Sequence, residues 1–141
     1  MNDRINVVIV DDYTLLREGL ESILCAEADI EVVGQGASAE EAVRLAVELL
    51  PDIVLLDIDM PGDGLGAARI IADRCPVTKI VILTASEQDD LLIKALHAGA
   101  RGYILKGVAA RELLRILRAI HAGESYVPPA LAASLDRKSV V

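Results

Sequence analysis

The chain has 141 residues, the length of one ordinary domain, and 53% of them are hydrophobic, enough to bury a core. The apolar content is almost all Val, Ile, Leu and Ala; three Tyr are the only aromatics, and the formal net charge is −8. An acidic chain with no run of Lys or Arg repels nucleic acid, which argues against direct DNA binding by this chain alone. Cys25 and Cys75 form no CxxC pair or metal-ligand cluster and are expected to be reduced packing residues. The first apolar run is too short for a secretory signal and no later run approaches a membrane span, so a cytoplasmic location is expected.

The first predicted strand is Ile5 to Val10, ending in Asp11-Asp12. A helix follows, with Leu16, Leu20, Ile23 and Leu24 on one face. The second strand is Ile30 to Val33, closed by Gly34 and Gly36. Ser38 with Glu41 three residues on is a capping-box start for the next helix, whose expected buried stripe is Ala42, Val43, Ala46, Val47 and Leu50. Pro51 ends that helix, and Ile53 to Leu56 is a third strand running into Asp57, apolar on both faces as the centre of a parallel sheet must be. A loop through Pro61, Gly62 and Gly64 leads to a third helix around Ala67 to Ala72. The fourth strand is Ile80 to Leu83, ending at Thr84; Ser86 with Asp89 starts the fourth helix, which stops at Gly99. Gly102 to Leu105 is a short fifth strand ending at Lys106, and the last regular helix runs from about Ala109 to His121. After Gly123 the pattern changes: Tyr126-Val127-Pro128-Pro129 ends helical structure, Ala130 to Leu135 offers one or two turns, and Asp136 to Val141 reads as a frayed end or the start of a linker. Strictly alternating strands and helices imply an α/β fold, a parallel sheet with helices on both faces.

Four of the five predicted strands end in a polar or reactive residue: Asp11-Asp12, Asp57, Thr84 and Lys106. In open α/β sheets ligands bind outside those carboxyl ends, so these residues are expected to share one pocket. Carboxylates a few ångström apart repel by about 4 kcal/mol per pair at an effective dielectric near 20, more than one Lys can offset. A divalent cation can, and Mg²⁺ suits a site with few carboxylates that keeps water and bridges phosphate oxygens. A carboxylate so placed can attack phosphorus and form an aspartyl phosphate. The assignment is Asp57 as phosphoryl acceptor, Asp11 and Asp12 on the metal, and Lys106 and Thr84 on the phosphoryl oxygens. Taken singly, each has a blander role: Asp57 as a surface or capping carboxylate, Asp11-Asp12 as a helix cap, Thr84 as a strand-end hydroxyl, Lys106 as a solvated charge. His97 and His121 lack ligand partners at suitable spacing and are expected on the surface or in packing.

In order along the chain, Asp11-Asp12, Asp57 within Val-Leu-Leu-Asp-Ile-Asp-Met-Pro-Gly, Thr84-Ala85, Tyr103 and Lys106 resemble the receiver domain of two-component response regulators, over about residues 5 to 122. The resemblance implies a flavodoxin-like, doubly wound five-stranded parallel sheet with strand order 2-1-3-4-5. It implies that the backbone carbonyl of Asp59 is a metal ligand, that Thr84 and Tyr103 act as a coupled switch, and that Asp59 and Ser86 tune dephosphorylation. Segments such as Leu16-Arg17-Glu18-Gly19-Leu20, Ala98-Gly99-Ala100-Arg101-Gly102-Tyr103 and Ile120-His121-Ala122-Gly123-Glu124 are similar to NarL/LuxR-type regulators. For that type the expected division is a receiver over 1–123 and, over 124–141, a linker towards a DNA-binding output domain that the chain does not include. The implied partners are a sensor histidine kinase, a second copy on phosphorylation, and DNA only through the output domain. The sequence departs from the commoner pattern in having Gly107 after Lys106 and in the glycine placement of Pro61-Gly62-Asp63-Gly64-Leu65-Gly66.

Three rival readings share some of these residues. Asp57-Ile58-Asp59 also resembles the nucleophile motif of haloacid-dehalogenase-type phosphatases, although there the motif follows the first strand and here it ends the third. A receiver-like module that only docks or dimerises would be expected to have lost part of the pocket. Flavodoxin-type cofactor binding would need a phosphate-cradling loop where Asp11-Asp12 would repel phosphate.

Overall fold

In the computed structural model, which describes residues 4–139, strands and helices alternate as β1 (Ile5–Val10), α1 (Thr14–Cys25), β2 (Ile30–Gly36), α2 (Ala39–Leu49), β3 (Ile53–Asp57), α3 (Gly64–Arg74), β4 (Lys79–Thr84), α4 (Asp89–His97), β5 (Gly102–Leu105) and α5 (Ala110–His121), followed by α6 (Pro129–Ser139). The strands form one parallel sheet in the order β2-β1-β3-β4-β5, as the resemblance implied.

The period of two along each strand divides the core into two layers. Val8, Val10, Val54, Leu56, Ile80, Ile82 and Tyr103 pack towards α2, α3 and α4; Val7, Ile9, Ile53, Leu55, Val81, Leu83 and Ile104 pack towards α1 and α5. β3, at the centre, is buried at every position, which explains its unbroken apolar run.

Several boundaries differ from the sequence reading. β2 continues through Gly34 to Gly36, with a register shift opposite Val7 and Val8. Gly34 lets the strand pass close beneath α2: an added Cβ would lie 2.8 Å from Leu49 Cδ1 and would push that side chain aside. The Ser38 cap is present: its hydroxyl accepts from the Glu41 N–H at 3.2 Å, and Glu41 returns an acceptor to the Ala37 N–H. The buried face of α2 is Ala39, Ala42, Leu45 and Ala46, whereas Val47 and Leu50 are exposed. Leu50 lies beyond the helix in a left-handed conformation with φ 46°, which turns it out of the stripe.

α3 starts at Gly64, earlier than expected, because Asp63 caps it by accepting from the Gly66 N–H at 2.8 Å. α4 starts at Asp89; Ser86 is used in the preceding turn, its hydroxyl accepting from the Gln88 N–H. Cys75 is buried as expected, but Cys25, at the end of α1, is exposed and packs in no core. His97 and His121 are both exposed.

The segment after α5 is more ordered than one or two helical turns. Tyr126 adds a parallel bridge to β5: the Tyr126 N–H donates to the Arg101 carbonyl and the Tyr103 N–H to the Tyr126 carbonyl, each at 3.0 Å. Pro129 occupies the first position of α6, where its missing N–H costs nothing, and buried Leu131 seats the helix against α4. Among the described residues no helix is long and apolar enough to cross a membrane.

Two glycines test this packing in opposite directions. Gly99 has φ +103°, and an added Cβ would lie 2.7 Å from Ala72 Cβ, so Gly99→Ala should destabilise the fold. The expected loss is about 1–3 kcal/mol by urea unfolding. Gly19 lies inside α1 with nothing within 4 Å of an added Cβ. Gly19→Ala should therefore stabilise the fold by about 0.5–1 kcal/mol in the same measurement.

Candidate functional site

The sheet register brings the polar strand ends together. Val10 pairs with Leu56, Asp57 with Leu83 and Thr84 with Leu105, so Asp11, Asp57, Thr84 and Lys106 emerge at one level of the carboxyl edge. Asp11, Asp57 and Thr84 are buried there, and Asp12 is exposed at the rim.

Asp11 spends one oxygen on the Tyr13 N–H at 2.8 Å; the other, Oδ2, is buried without a hydrogen-bond partner. Burial, aided by the charge of Asp57, pushes the Asp11 carboxyl above its ordinary value of 3.8, against the pull of the Tyr13 N–H and Lys106. Carboxylate oxygens of Asp11, Asp12 and Asp57 lie within 4.8 Å of one another. The residues fit a hard divalent cation: three oxygen donors converge and one buried oxygen lacks a partner.

Asp57 Oδ1 accepts from the Asp59 N–H at 2.8 Å and pairs with Lys106 Nζ at 3.1 Å. Lys106 also reaches Asp59 Oδ2 at 3.3 Å. Burial works to lower the Lys106 pKa, but the hydrogen bond and charge of Asp57, the hydrogen bond of Asp59 and the charge of Asp11 outweigh it, so the ammonium is held above its ordinary value. The backbone fixes Lys106 in turn: its N–H donates to the Thr84 carbonyl at 2.9 Å, and the Val108 N–H closes the Gly107 turn on the Leu105 carbonyl.

The Asp59 side chain holds a position that the sequence reading did not assign to it. Its carboxylate accepts from the Thr84 hydroxyl at 3.1 and 3.3 Å, from the Ala85 N–H at 3.0 Å and pairs with Lys106. Burial raises its pKa, but the Ala85 N–H, the Thr84 hydroxyl and Lys106 together hold the carboxyl below the ordinary value. The i, i+2 spacing of Asp57 and Asp59 was visible in the sequence; that the chain turns after β3, carrying Asp59 over the end of β4, was not.

Thr84 Oγ1 also accepts from the Ser86 N–H at 3.0 Å, and the Ser86 carbonyl accepts from the Tyr103 hydroxyl at 3.0 Å. Tyr103 is therefore one peptide removed from the pocket, its ring fully buried on the α4 side of the sheet. Burial, then the charge of Asp59, pushes its phenol above the ordinary range. The structure thus gathers Asp11, Asp12, Asp57, Asp59, Thr84 and Lys106 in one place, with Ser86 and Tyr103 linked behind Thr84.

A parallel five-stranded sheet with an acidic pocket and one lysine at its carboxyl edge defines a receiver-like switch domain. The chain matches the response regulator receiver domain over residues 7–118 and belongs to that family. It is 39% identical to the response regulator GacA of Pseudomonas aeruginosa over 136 residues, covering 96% of this chain and 64% of that protein. It is 41% identical to the oxygen regulatory protein NreC of Staphylococcus aureus, covering 95% of this chain and 63% of that one. The chain thus spans about two thirds of the length of these relatives, slightly less in each case. Among solved structures it resembles a LuxR-family two-component response regulator from Aurantimonas, with a TM-score of 0.90 at 33% identity over 98% of this chain and 99% of that one. It also resembles the isolated receiver domain of RcsB from Salmonella enterica, with a TM-score of 0.82 at 25% identity over 92% of this chain and 97% of that one.

The orphaned oxygen of Asp11 gives a test of the acidic cluster. A carboxyl with a raised folded-state pKa binds more protons than in the unfolded chain, so its contribution to stability falls as pH rises from 3.8 through the raised value. In chelator, Asp11→Asn should remove that fall and stabilise the fold near neutral pH by about 1–3 kcal/mol in urea unfolding. Adding Mg²⁺ should raise the melting temperature of the native chain and leave Asp11→Asn nearly unchanged.

Proposed function

We propose that this chain is a phosphorylation switch in which Asp57 accepts a phosphoryl group from the histidine of a sensor kinase. The observation that carries the reading is the placement of Asp57: buried to 1% exposure, paired with Lys106 at 3.1 Å, and clustered with Asp11 and Asp12. An oxygen of the Asp57 carboxylate attacks phosphorus, the phosphorus–nitrogen bond to the donor imidazole breaks, and the imidazole leaves with the electron pair. Mg²⁺, when bound, supplies positive charge to the transferring oxygens. Asp11, Asp12, Asp57 and the backbone carbonyl of Asp59 are the groups that would hold it. Lys106 and Thr84 would supply the ammonium and the hydroxyl donor to the phosphoryl oxygens.

Thr84 and Tyr103 carry the change outward. The Thr84–Ser86–Tyr103 hydrogen bonds join the pocket to α4 and β5, so retargeting the Thr84 hydroxyl alters the backbone on which Tyr103 rests. Asp59 and Ser86 border the aspartyl phosphate and set how easily water reaches it. The chain accepts one phosphoryl group and does not turn over phosphate esters. Its location is cytoplasmic, where sensor kinases present their histidine. Residues 1–123 form the receiver and 124–141 lead towards an output domain that contacts DNA, with a homodimer as the phosphorylated form; the greater length of the relatives supports this division. A module that docks without phosphorylation would share the fold, but the full set of carboxylates, lysine and threonine favours the switch.

Incubation with Mg²⁺ and acetyl phosphate should add the mass of one phosphoryl group to the native chain and none to Asp57→Ala. Lys106→Ala should slow uptake by about 100-fold, the scale of losing one preorganised electrostatic contact. No mass gain by the folded native chain would leave the docking module.

A further inference from the structure

Resting on that reading, we propose that the Asp59 carboxylate is a resident occupant of the phosphoryl-oxygen site, which must be displaced each time Asp57 is phosphorylated. Three donors converge on this one carboxylate: the Thr84 hydroxyl at 3.1 Å, the Ala85 N–H at 3.0 Å and Lys106 Nζ at 3.3 Å. A side-chain hydroxyl, a backbone amide and an ammonium around one point make an oxyanion site, and an anion already fills it. Lys106 bridges that anion and Asp57, so a group attached to Asp57 Oδ1 or its neighbour oxygen meets the same donors.

The two anions cannot share the site. A phosphoryl group brings close to two negative charges and three acceptor oxygens against one charge and two oxygens for the carboxylate. Asp59 is the member of the pair free to leave, because its side chain is 38% exposed while that of Asp57 is 2% exposed. The exchange keeps the donors satisfied in both states: Thr84, Ala85 and Lys106 pass from Asp59 to the phosphoryl group without an interval of unpaired burial. The affinity for a phosphoryl-like anion is therefore reduced by the bonds Asp59 must surrender. Asp59 acts here as a positioning residue that competes with phosphorylation, setting the threshold at which it occurs.

The test uses the whole chain with Mg²⁺ and beryllium trifluoride as a phosphoryl analogue, binding being followed by fluorine NMR. Asp59→Ala should bind the analogue about tenfold more tightly than the native chain, which is roughly the return on one net charge-assisted hydrogen bond. Asp59→Asn should also tighten binding, and Asp59→Glu, which restores the charge, should return to within about threefold of native. The Ala85 amide resonance in the bound forms separates competition from a turn-stapling role, in which Asp59 would keep that hydrogen bond when the analogue is bound. It should differ between native and Asp59→Ala when free and coincide when both hold the analogue. Equal or weaker binding by Asp59→Ala, or an Ala85 difference that persists in the bound forms, would overturn the competition while leaving Asp57 as acceptor. Absence of binding by the native chain, with Asp57→Ala as control, would overturn the parent reading and this inference with it.

Discussion

A single ammonium group stands among the carboxylates at the carboxyl edge of the sheet, and the arrangement of the pocket depends on it. Lys106 pairs with both Asp57 and Asp59, while Asp11 and Asp12 add further negative charge with no salt bridge among the described residues, the Arg17 guanidinium reaching Asp11 at its backbone carbonyl. Solvent screens little where Asp11 and Asp57 are buried, so the excess charge persists as a local potential. That potential is a standing cost to the fold and the source of its chemistry. Whatever cation or phosphoryl group enters does so to relieve an imbalance that packing alone imposes. The position of Lys106 is set by the sheet: its backbone N–H is tied to Thr84, the last residue of the neighbouring strand.

From this point the hydrogen bonds run in one direction. Asp59 accepts from Thr84, Thr84 accepts from the Ser86 N–H, and the Ser86 carbonyl accepts from Tyr103. No link in that sequence needs a side chain of Ser86, so the peptide before α4 is itself part of the connection. That peptide joins Thr84 to the segment leading into α4 and to the Tyr103 hydroxyl. The Thr84 hydroxyl is thus the one side-chain donor through which the Asp59 carboxylate is joined to the peptide that Tyr103 holds.

The layered sheet and the strand-end residues were legible because each strand changes character abruptly where it leaves the core. Ile-Val-Leu-Leu before Asp57 and Val-Ile-Leu before Thr84 leave no doubt where the apolar run stops. The α2 stripe was less legible, since Val47 and Leu50 are as apolar as Leu45 and only the helix phase and the left-handed turn at Leu50 decide which are buried. The start of α3 was obscured because three glycines in six residues read as loop, although Asp63 supplies the cap that makes a helix there possible. The side-chain role of Asp59 was beyond local reading altogether: its partners lie 25 to 26 residues away at Thr84 and Ala85, and only the register of β3 against β4 brings them near. Cys25 shows the converse error, a residue type that is usually buried placed at an exposed helix end.

β5 is the last strand of the sheet, and its outer edge would present unpaired peptide groups if the chain stopped pairing there. Tyr126 takes that edge with two backbone hydrogen bonds, one of them from the N–H of Tyr103. Tyr103 is consequently gripped at both ends, its hydroxyl by the peptide in front of α4 and its backbone by the segment that leads into α6. The seam that keeps the sheet from pairing with strangers is sewn to the same residue that rests against the pocket. Any repositioning of Tyr103 must therefore tug on the thread that continues into α6.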